Sequence, residues 1–303
     1  MSAIDTESTE AEYRSGPLLV RRLAGNIGAE IEDVDTAAPL AADAVSALRS
    51  ALLTHKVIFV RGQRLDYDHL TAFAGQFGGL TPGHPIYQAP KDQPHVREMD
   101  SRGDGTRANY WHTDLTFVEA PPAFAVLHNV VCPPVGGDTL WANTAAAYAA
   151  MPPELKALAN GMRVVHSNNS DYTDATYVHS PRARAEYIQR TIEAEHPAVR
   201  VHAETGEPSL LLGGFARSVV GHRPRAGRDL IRVLEDYATQ PEYTVRWKWR
   251  AGDVVMWDNQ ATMHYAILDY GTQHRRGIRV TVEGCPPVGL DGRKGFALSS
   301  PLT

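Results

Sequence analysis

The sequence has little cysteine and no long hydrophobic run. Among its 303 residues only Cys132 and Cys285 are cysteines, and they stand far apart outside any C-x-x-C pattern. This argues against a disulfide framework or a thiolate zinc site, and it favours two reduced thiols in a cytoplasmic protein. No apolar stretch approaches the roughly 20 residues of a membrane-spanning helix.

Neither sign of charge dominates. Lys and Arg total 30, Asp and Glu total 35, and the net charge is −5. Such a chain lacks the basic field that unspecific nucleic-acid binding needs and the basic amphipathic face of a membrane-surface protein. We therefore expect no nucleic-acid partner and no membrane partner. The acidic start of the chain has no apolar core typical of a secretory signal, so residues 1–16 are predicted to be a flexible tail.

Proline and glycine are scattered, without a repeat or a linker, which predicts one domain over residues 17–303. Many short strand patterns and few helix patterns, without a regular βαβ alternation, predict a mainly β fold. It would be an antiparallel sandwich or jelly roll decorated by helices. Helices are predicted at residues 42–53, 67–77, 145–159 (broken at Pro152-Pro153) and 226–237. Residues 80–120 are predicted to be irregular, and a loop of this length in a compact domain is usually functional or disordered.

His112 and Asp114 are two residues apart, so in an extended segment their side chains project to the same face. His264, far along the chain near the end of a predicted strand, could join them. Two histidines and one carboxylate are the ligands of a non-haem Fe(II) facial triad, which leaves positions open for a chelating co-substrate and O₂. The alternative is chance, since the chain has 13 histidines and a lone histidine on an apolar strand is more often a core residue.

Two arginines follow His264 closely. Arg275 and Arg279 share one face of a predicted strand because side chains alternate with a period of two. An arginine fork binds a carboxylate through two hydrogen bonds. One such arginine beside an open Fe(II) site predicts a dicarboxylic co-substrate, and the second predicts an anionic group on the prime substrate. A solvated face is the structural alternative for this pair.

Three blocks of sequence resemble the taurine dioxygenase and alkylsulfatase family of Fe(II)- and 2-oxoglutarate-dependent dioxygenases. They are WHTDLTF at 111–117, GGDTLWAN at 136–143, and 257–266, which begins Trp-Asp-Asn and ends His-Tyr-Ala. Arg275 and Arg279 follow His264 by 11 and 15 residues, which is the spacing of the family. The resemblance covers about residues 17–290. It implies a double-stranded β-helix (jelly-roll) fold and a homo-oligomer, either a dimer or a tetramer.

The resemblance also implies a role for each site residue. The catalytic iron ligands would be His112, Asp114 and His264, with 2-oxoglutarate and O₂ as co-substrates. The 2-oxoglutarate carboxylate would be bound by Thr139 and Arg275. Substrate contacts would come from His84, Tyr87, Phe215 and Arg279, of which His84 and Arg279 meet an anionic group. For Phe215 plain core packing is an equal alternative.

The alkylsulfatase branch resembles this chain most, through residues 142–148 and 200–207. This implies hydroxylation of a carbon that bears a sulfate ester or sulfonate, with release of an aldehyde and sulfate or sulfite. One alternative is a biosynthetic tailoring oxygenase that acts on an amino acid or another small carboxylate. The others are a catalytically inactive 2-oxoglutarate sensor, which need not keep all three metal ligands, and a zinc hydrolase.

Overall fold

A computed structural model describes residues 10–103, 108–169 and 191–298. The helices in these ranges are α1 (Ala42–His55), α2 (Tyr67–Gly75), α3 (Thr144–Ala150), α4 (Pro153–Asn160) and α5 (Pro224–Ala238). The first nine strands are β1 (Glu12–Ser15), β2 (Leu18–Arg22), β3 (Ala29–Glu32), β4 (Val57–Val60), β5 (Arg97–Asp100), β6 (Phe124–Val131), β7 (Thr139–Asn143), β8 (Arg163–Ser167) and β9 (Glu193–Pro197). The remaining strands are β10 (Val199–Val201), β11 (Pro208–Leu210), β12 (Ala216–Val219), β13 (Thr244–Trp247), β14 (Asp253–Asp258), β15 (Thr262–Ala266), β16 (Arg276–Val282), β17 (Val288–Gly289) and β18 (Phe296–Ala297).

An eight-stranded sheet of order β1-β2-β3-β4-β14-β6-β16-β5 forms one layer of the fold. Its neighbouring strands are antiparallel except for the parallel pair β3 and β4. Its central strands are apolar on both faces: on β14, Val254 and Met256 face one core while Val255 and Trp257 face the other. A strand buried on both faces has an unbroken apolar sequence, which the period of two divides between two cores.

The two faces of this sheet are covered by different elements. Helices α1 and α2 cover the outer face, where Leu48 and Phe73 are buried. The three-stranded sheet β13-β7-β15 covers the inner face. Between the two sheets Phe59 stacks on Trp247 with ring centroids 4.1 Å apart, and Trp141 meets Phe59 edge-on at 5.5 Å. The predicted jelly roll with helices on its outside is confirmed.

A second group of strands flanks the two-layer body. It consists of the four-stranded sheet β12-β8-β9-β18 and the three-stranded sheet β11-β10-β17. Their core includes residues of α3, α4 and α5, such as Ala147, Ala159 and Leu234. The break between α3 and α4 falls at the predicted Pro152-Pro153 pair, because proline lacks the backbone donor that a helix interior needs.

The start of the chain differs from the prediction. Residues 1–9 lie outside the described part, but Glu12–Ser15 form β1 and pair antiparallel with β2. The Tyr13 hydroxyl makes a 2.8 Å hydrogen bond with His55 Nε2, and the ring packs against the α1 core. The flexible tail predicted for residues 1–16 is therefore wrong for this strand, because the ladder and Tyr13 fix it to the sheet. Among the described residues no helix is long and apolar enough to cross a membrane.

Candidate active site

Three candidate metal ligands lie around one point. The backbones of His112 and His264 exchange two hydrogen bonds, of 3.0 and 2.8 Å, which places the two imidazoles side by side. Asp114, two residues after His112, points the same way, and its Oδ1 lies 3.9 Å from Nε2 of each histidine. All three are buried, and one ligand atom from each lies within 4.8 Å of the others. His264 is in the middle of β15 rather than at a strand end.

The protonation states of these residues suit a cation. His112 Nδ1 makes a 3.0 Å hydrogen bond with the Tyr110 carbonyl, so the proton lies on Nδ1 and the Nε2 lone pair faces Asp114. Burial lowers the pKa of His112 and that of His264, which keeps both rings neutral, as metal binding requires. Burial alone would raise the pKa of Asp114, but the neighbouring Arg279 and the two histidines bring it below its ordinary value.

The donor set fits a ferrous ion. It offers two neutral imidazoles and one carboxylate, the set that leaves half of an octahedron open. The buried Oδ2 of Asp114 has no hydrogen-bond partner among the described residues, and neither has the buried Nδ1 of His264. A carboxylate oxygen that is buried without a donor is costly, and a bound cation would remove that cost. His112, Asp114 and His264 can therefore hold Fe(II) together.

The turn between β14 and β15 fixes the backbone of Asp114. Asn259 Oδ1 accepts a 2.9 Å hydrogen bond from the Asp114 amide, and Asn259 Nδ2 donates a 3.1 Å bond to its carbonyl. The next residue, Leu115, has a φ of +54°, which bends the chain directly after the ligand. Left-handed backbone is unusual for leucine and is tolerated where the surroundings over-determine it. The Trp-Asp-Asn block of the sequence thus positions a ligand 145 residues away.

A glycine behind His112 allows a close backbone contact. Gly213 has a φ of +104°, and a Cβ at this position would lie 2.8 Å from the Cα of His112. Its amide donates a 2.9 Å hydrogen bond to Glu235 Oε1 on α5. Burial raises the pKa of this carboxyl to about 7. Because Glu235 accepts the Gly213 amide hydrogen bond, it holds in place the segment that lies against His112.

All nine predicted site residues line one cavity of about 160 Å³. They are His84, Tyr87, His112, Asp114, Thr139, Phe215, His264, Arg275 and Arg279. The chain brings them together from six separate stretches of sequence. Their arrangement is consistent with the predicted roles, which remain predictions.

One side of the cavity holds the residues predicted to bind a co-substrate carboxylate. Thr139 begins β7, and its Oγ1 accepts a 2.9 Å hydrogen bond from Trp249 Nε1. The guanidinium of Arg275 lies 5.8 Å from the centroid of the same tryptophan ring. Burial lowers the pKa of Arg275, and its buried Nε has no partner among the described residues. Arginine stays charged when buried, so this side offers a cation and a hydroxyl.

A second cationic group lies on the β16 side. Arg279 is on β16, and its Nη1 donates a 2.6 Å hydrogen bond to Asp114 Oδ1. His84 Nδ1 accepts hydrogen bonds from the amides of Ile86 and Tyr87, at 3.1 and 3.2 Å. Burial, with Arg279 and Arg97, holds the pKa of His84 well below its ordinary value. The neutral ring therefore carries its proton on Nε2, where it can donate to an anion.

Aromatic rings close this side of the cavity. Tyr87 lies beside His84 with ring centroids 4.6 Å apart. Phe215 meets Phe117 edge-on at 4.9 Å and belongs to a small cluster that includes Leu115. For Phe215 the two interpretations of the sequence are compatible, because one edge packs in a core and the ring also lines the cavity.

Sequence reasoning missed Arg97. The segment 80–120 was predicted to be irregular, yet residues 97–100 form β5 at the edge of the main sheet. Arg97 and Met99 share its inner face and line the cavity. The alternation of Arg97, Glu98 and Met99 is the one signal that could have revealed this strand, and four residues are too few to stand out beside Pro94 and Gly103.

Comparisons with known proteins agree with this geometry. Residues 19–281 match the taurine catabolism dioxygenase TauD, TfdA family. An alpha-ketoglutarate-dependent sulfate ester dioxygenase from Pseudomonas putida is 45% identical, with 90% of this chain and 92% of the relative covered. An alkylsulfatase from Acinetobacter baylyi is 43% identical, with 92% and 89% covered.

A solved structure is similar in fold and in sequence. The crystal structure of a taurine dioxygenase from Burkholderia xenovorans superimposes with a TM-score of 0.81 and 38% identity, and it covers 94% of this chain and 95% of its own. The family match spans the segments that carry the candidate ligands and both arginines. The chain therefore belongs to the TauD/TfdA family of 2-oxoglutarate-dependent dioxygenases.

Proposed function

We propose that this protein is an Fe(II)- and 2-oxoglutarate-dependent dioxygenase that hydroxylates an alkyl sulfate ester at the carbon bearing the sulfate. The observation that carries the proposal is one cavity lined by a buried His-Asp-His set and by two arginines, of which Arg279 donates a hydrogen bond to Asp114 and Arg275 lies near the Trp249 ring. Relatives named for sulfate ester and alkyl sulfate substrates, at 45% and 43% identity, support the substrate class.

The co-substrate would bind with its distal carboxylate at Arg275 and Thr139. A charge-assisted pair with a buried guanidinium is among the stronger hydrogen bonds in proteins. The Trp249 indole donates to the Thr139 oxygen, which leaves the Thr139 hydroxyl proton free to donate to the carboxylate. Thr139 is in β7 and Arg275 directly precedes β16, so the two side chains would orient the keto acid before the reaction begins.

The prime substrate would bind by its sulfate group at Arg279 and His84. Arg279 is buried and His84 is partly buried, and His84 would donate from Nε2 as a neutral ring, so the site stays cationic through Arg279. Tyr87 and Phe215 would contact the alkyl chain and exclude water from it. The function of these groups is positioning: one carbon faces the metal ligands while the sulfate stays behind it.

When bound, Fe(II) couples the oxidative decarboxylation of 2-oxoglutarate to succinate and CO₂ with the insertion of one O₂ oxygen into the substrate C–H bond. The hydroxylated carbon then bears both a hydroxyl and a sulfate ester. Its C–O bond to sulfate breaks as the hydroxyl loses a proton, which gives an aldehyde and sulfate. The Arg279 guanidinium would stabilise the sulfate as it leaves.

Succinate formation by the purified enzyme tests the proposal. The protein is supplied with Fe(II), 2-oxoglutarate and O₂ and is given, one at a time, alkyl sulfates, alkyl sulfonates, amino acids and small carboxylates. Succinate, aldehyde and free sulfate or sulfite are measured together. We expect alkyl sulfates to give succinate, aldehyde and sulfate in equal amounts.

Three results would contradict this assignment. Succinate that forms only together with sulfite from sulfonates would support the same hydroxylation reaction. The substrate would then be a sulfonate, with a C–S bond, and not a sulfate ester. Succinate coupled only to a carboxylate, without sulfur release, would assign the chain to biosynthetic tailoring. Turnover with Zn(II) in place of Fe(II) would instead support a hydrolase.

The same proposal includes a cytoplasmic homo-oligomer, a dimer or a tetramer. The two cysteines are unpaired, as expected where thiols stay reduced and Fe(II) is kept from oxidation. Size-exclusion chromatography with light scattering measures the mass of the protein in solution. A single species at the monomer mass of 33.2 kDa would contradict the oligomer.

A further inference from the structure

Two glycines form the turn that leads into Thr139. Gly136 and Gly137 have φ values of +79° and +73°, in the left-handed region that favours glycine. A Cβ on Gly137 would lie 3.5 Å from the Cδ of Arg275, so the turn packs against the stem of this arginine. Thr139 follows directly after the turn, at the start of β7. The turn therefore connects, by chain and by contact, the two residues that are proposed to bind the distal carboxylate of 2-oxoglutarate.

The Asp269 side chain holds this turn. Asp269 Oδ1 accepts a 2.7 Å hydrogen bond from the Gly137 amide, and a Cβ on Gly136 would lie 2.6 Å from the same oxygen. A second hydrogen bond joins the same two segments, because the Ile267 amide donates to the Asp138 carbonyl at 2.8 Å. Asp269 itself is exposed and does not line the cavity, so it would not contact a bound ligand.

We propose that Asp269 is a positioning residue for the co-substrate: its hydrogen bond with the Gly137 amide fixes Thr139 relative to Arg275 and thereby sets the affinity for the distal carboxylate. This inference rests on the proposed function and adds the residue that aligns its co-substrate site. The two donor groups come from different segments, residues 137–139 and 269–275, and the Asp269 carboxylate joins these segments. Two donors must be held at the right separation to bind one carboxylate together.

The sign of the effect separates positioning from charge. A carboxylate near the site of a dianion repels that ligand, so removal of an Asp269 that acted through its charge alone would strengthen 2-oxoglutarate binding. Positioning predicts the opposite, because loss of the hydrogen bond weakens binding. Asp269→Asn separates the two effects, since it removes the charge and keeps an oxygen that can accept from the Gly137 amide.

Binding of two oxo acids without turnover tests the role of Asp269. The enzyme is loaded with Fe(II) under argon and titrated by calorimetry with 2-oxoglutarate and, separately, with 2-oxopentanoate, which has the same chain length and no distal carboxylate. We expect the wild type to bind 2-oxoglutarate more tightly. Asp269→Ala should reduce this preference about fivefold or more, because only the distal carboxylate loses its aligned donors. Asp269→Asn should restore most of the preference.

Asp229→Ala is the matched control, because it removes an exposed carboxylate on α5 that does not line the cavity. It should leave both affinities unchanged, and circular dichroism shows whether each variant is folded. An unchanged or larger preference for 2-oxoglutarate in Asp269→Ala, or equal losses for the two oxo acids, would overturn the positioning role. The wild-type preference decides the proposed co-substrate site separately: equal wild-type affinities would remove that site, and the role of Asp269 with it.

Discussion

The two ends of the cavity are built by different means. At the iron end, backbone hydrogen bonds join His112 to His264, and the Asn259 side chain fixes the backbone of Asp114. At the anion end, long side chains from a loop and two strands, such as His84 and Arg279, line the cavity, and Arg279 reaches the iron end through its hydrogen bond to Asp114. The backbone arrangement of the iron end therefore depends on the tertiary fold, whereas the anion end can change the ligand it binds through single side chains.

Loss of an iron ligand should have the largest effect. We expect His112→Ala to reduce Fe(II)-dependent succinate formation by more than about a hundredfold, because two protein ligands cannot retain the metal in a defined geometry. Calorimetry with Fe(II) under argon should show the loss of metal binding directly. The fold should survive, since the backbone bonds between residues 112 and 264 do not involve the side chain.

An exposed histidine offers the comparison for this variant. His69, on α2, is exposed and does not line the cavity, and His69→Ala should bind Fe(II) and turn over like the wild type. Full activity and unchanged Fe(II) affinity in His112→Ala would remove the metal site from this end of the cavity.

The two arginines should bind different ligands, Arg275 the co-substrate and Arg279 the prime substrate. We expect Arg275→Ala to raise the KM for 2-oxoglutarate by about tenfold to a hundredfold, the cost of a charge-assisted hydrogen bond, with little change for the sulfate ester. Arg279→Ala should instead raise the KM for the sulfate ester, with little change in the KM for 2-oxoglutarate. The lysine variants at both positions should recover part of the loss, because they restore the charge without the fork.

Steady-state kinetics with each ligand varied in turn gives the four KM values. If Arg279→Ala raised the KM for 2-oxoglutarate and Arg275→Ala that for the sulfate ester, the two roles would be exchanged. If each variant raised both values equally, the cavity would not contain two separate anion sites.

The sequence predicted the iron end better than the anion end, for a physical reason. His112 and Asp114 are close in sequence, and in an extended segment the side chains of residues two apart project to the same face. Arg97 is 182 residues from Arg279, and only the pairing of β5 with β16 brings them together. Local patterns do not encode such pairing when the strand is four residues long. For the same reason the sequence predicts a tail where β1 forms, since the contacts of β1 with β2 and His55 are tertiary.

The smallest expected effect is on stability and concerns the support behind the iron end. The pKa of Glu235 is about 7 in the folded protein against 4.5 for a free carboxyl, because burial penalises the charge. The folded state thus binds more protons between these values, and its free energy of unfolding should fall as the pH rises from 4.5 to 7.

Glu235→Gln keeps an oxygen that accepts a hydrogen bond from the Gly213 amide and removes the charge. We expect this variant to lose that pH dependence and to be more stable at pH 8 by about 1–3 kcal/mol. Urea unfolding across this pH range measures it, with Asp229→Asn, an exposed site on α5, as the control. If Glu235→Gln instead followed the wild-type profile at every pH, the carboxyl would titrate as an exposed group. The buried contact between the Glu235 carboxyl and the Gly213 amide would then not form in solution.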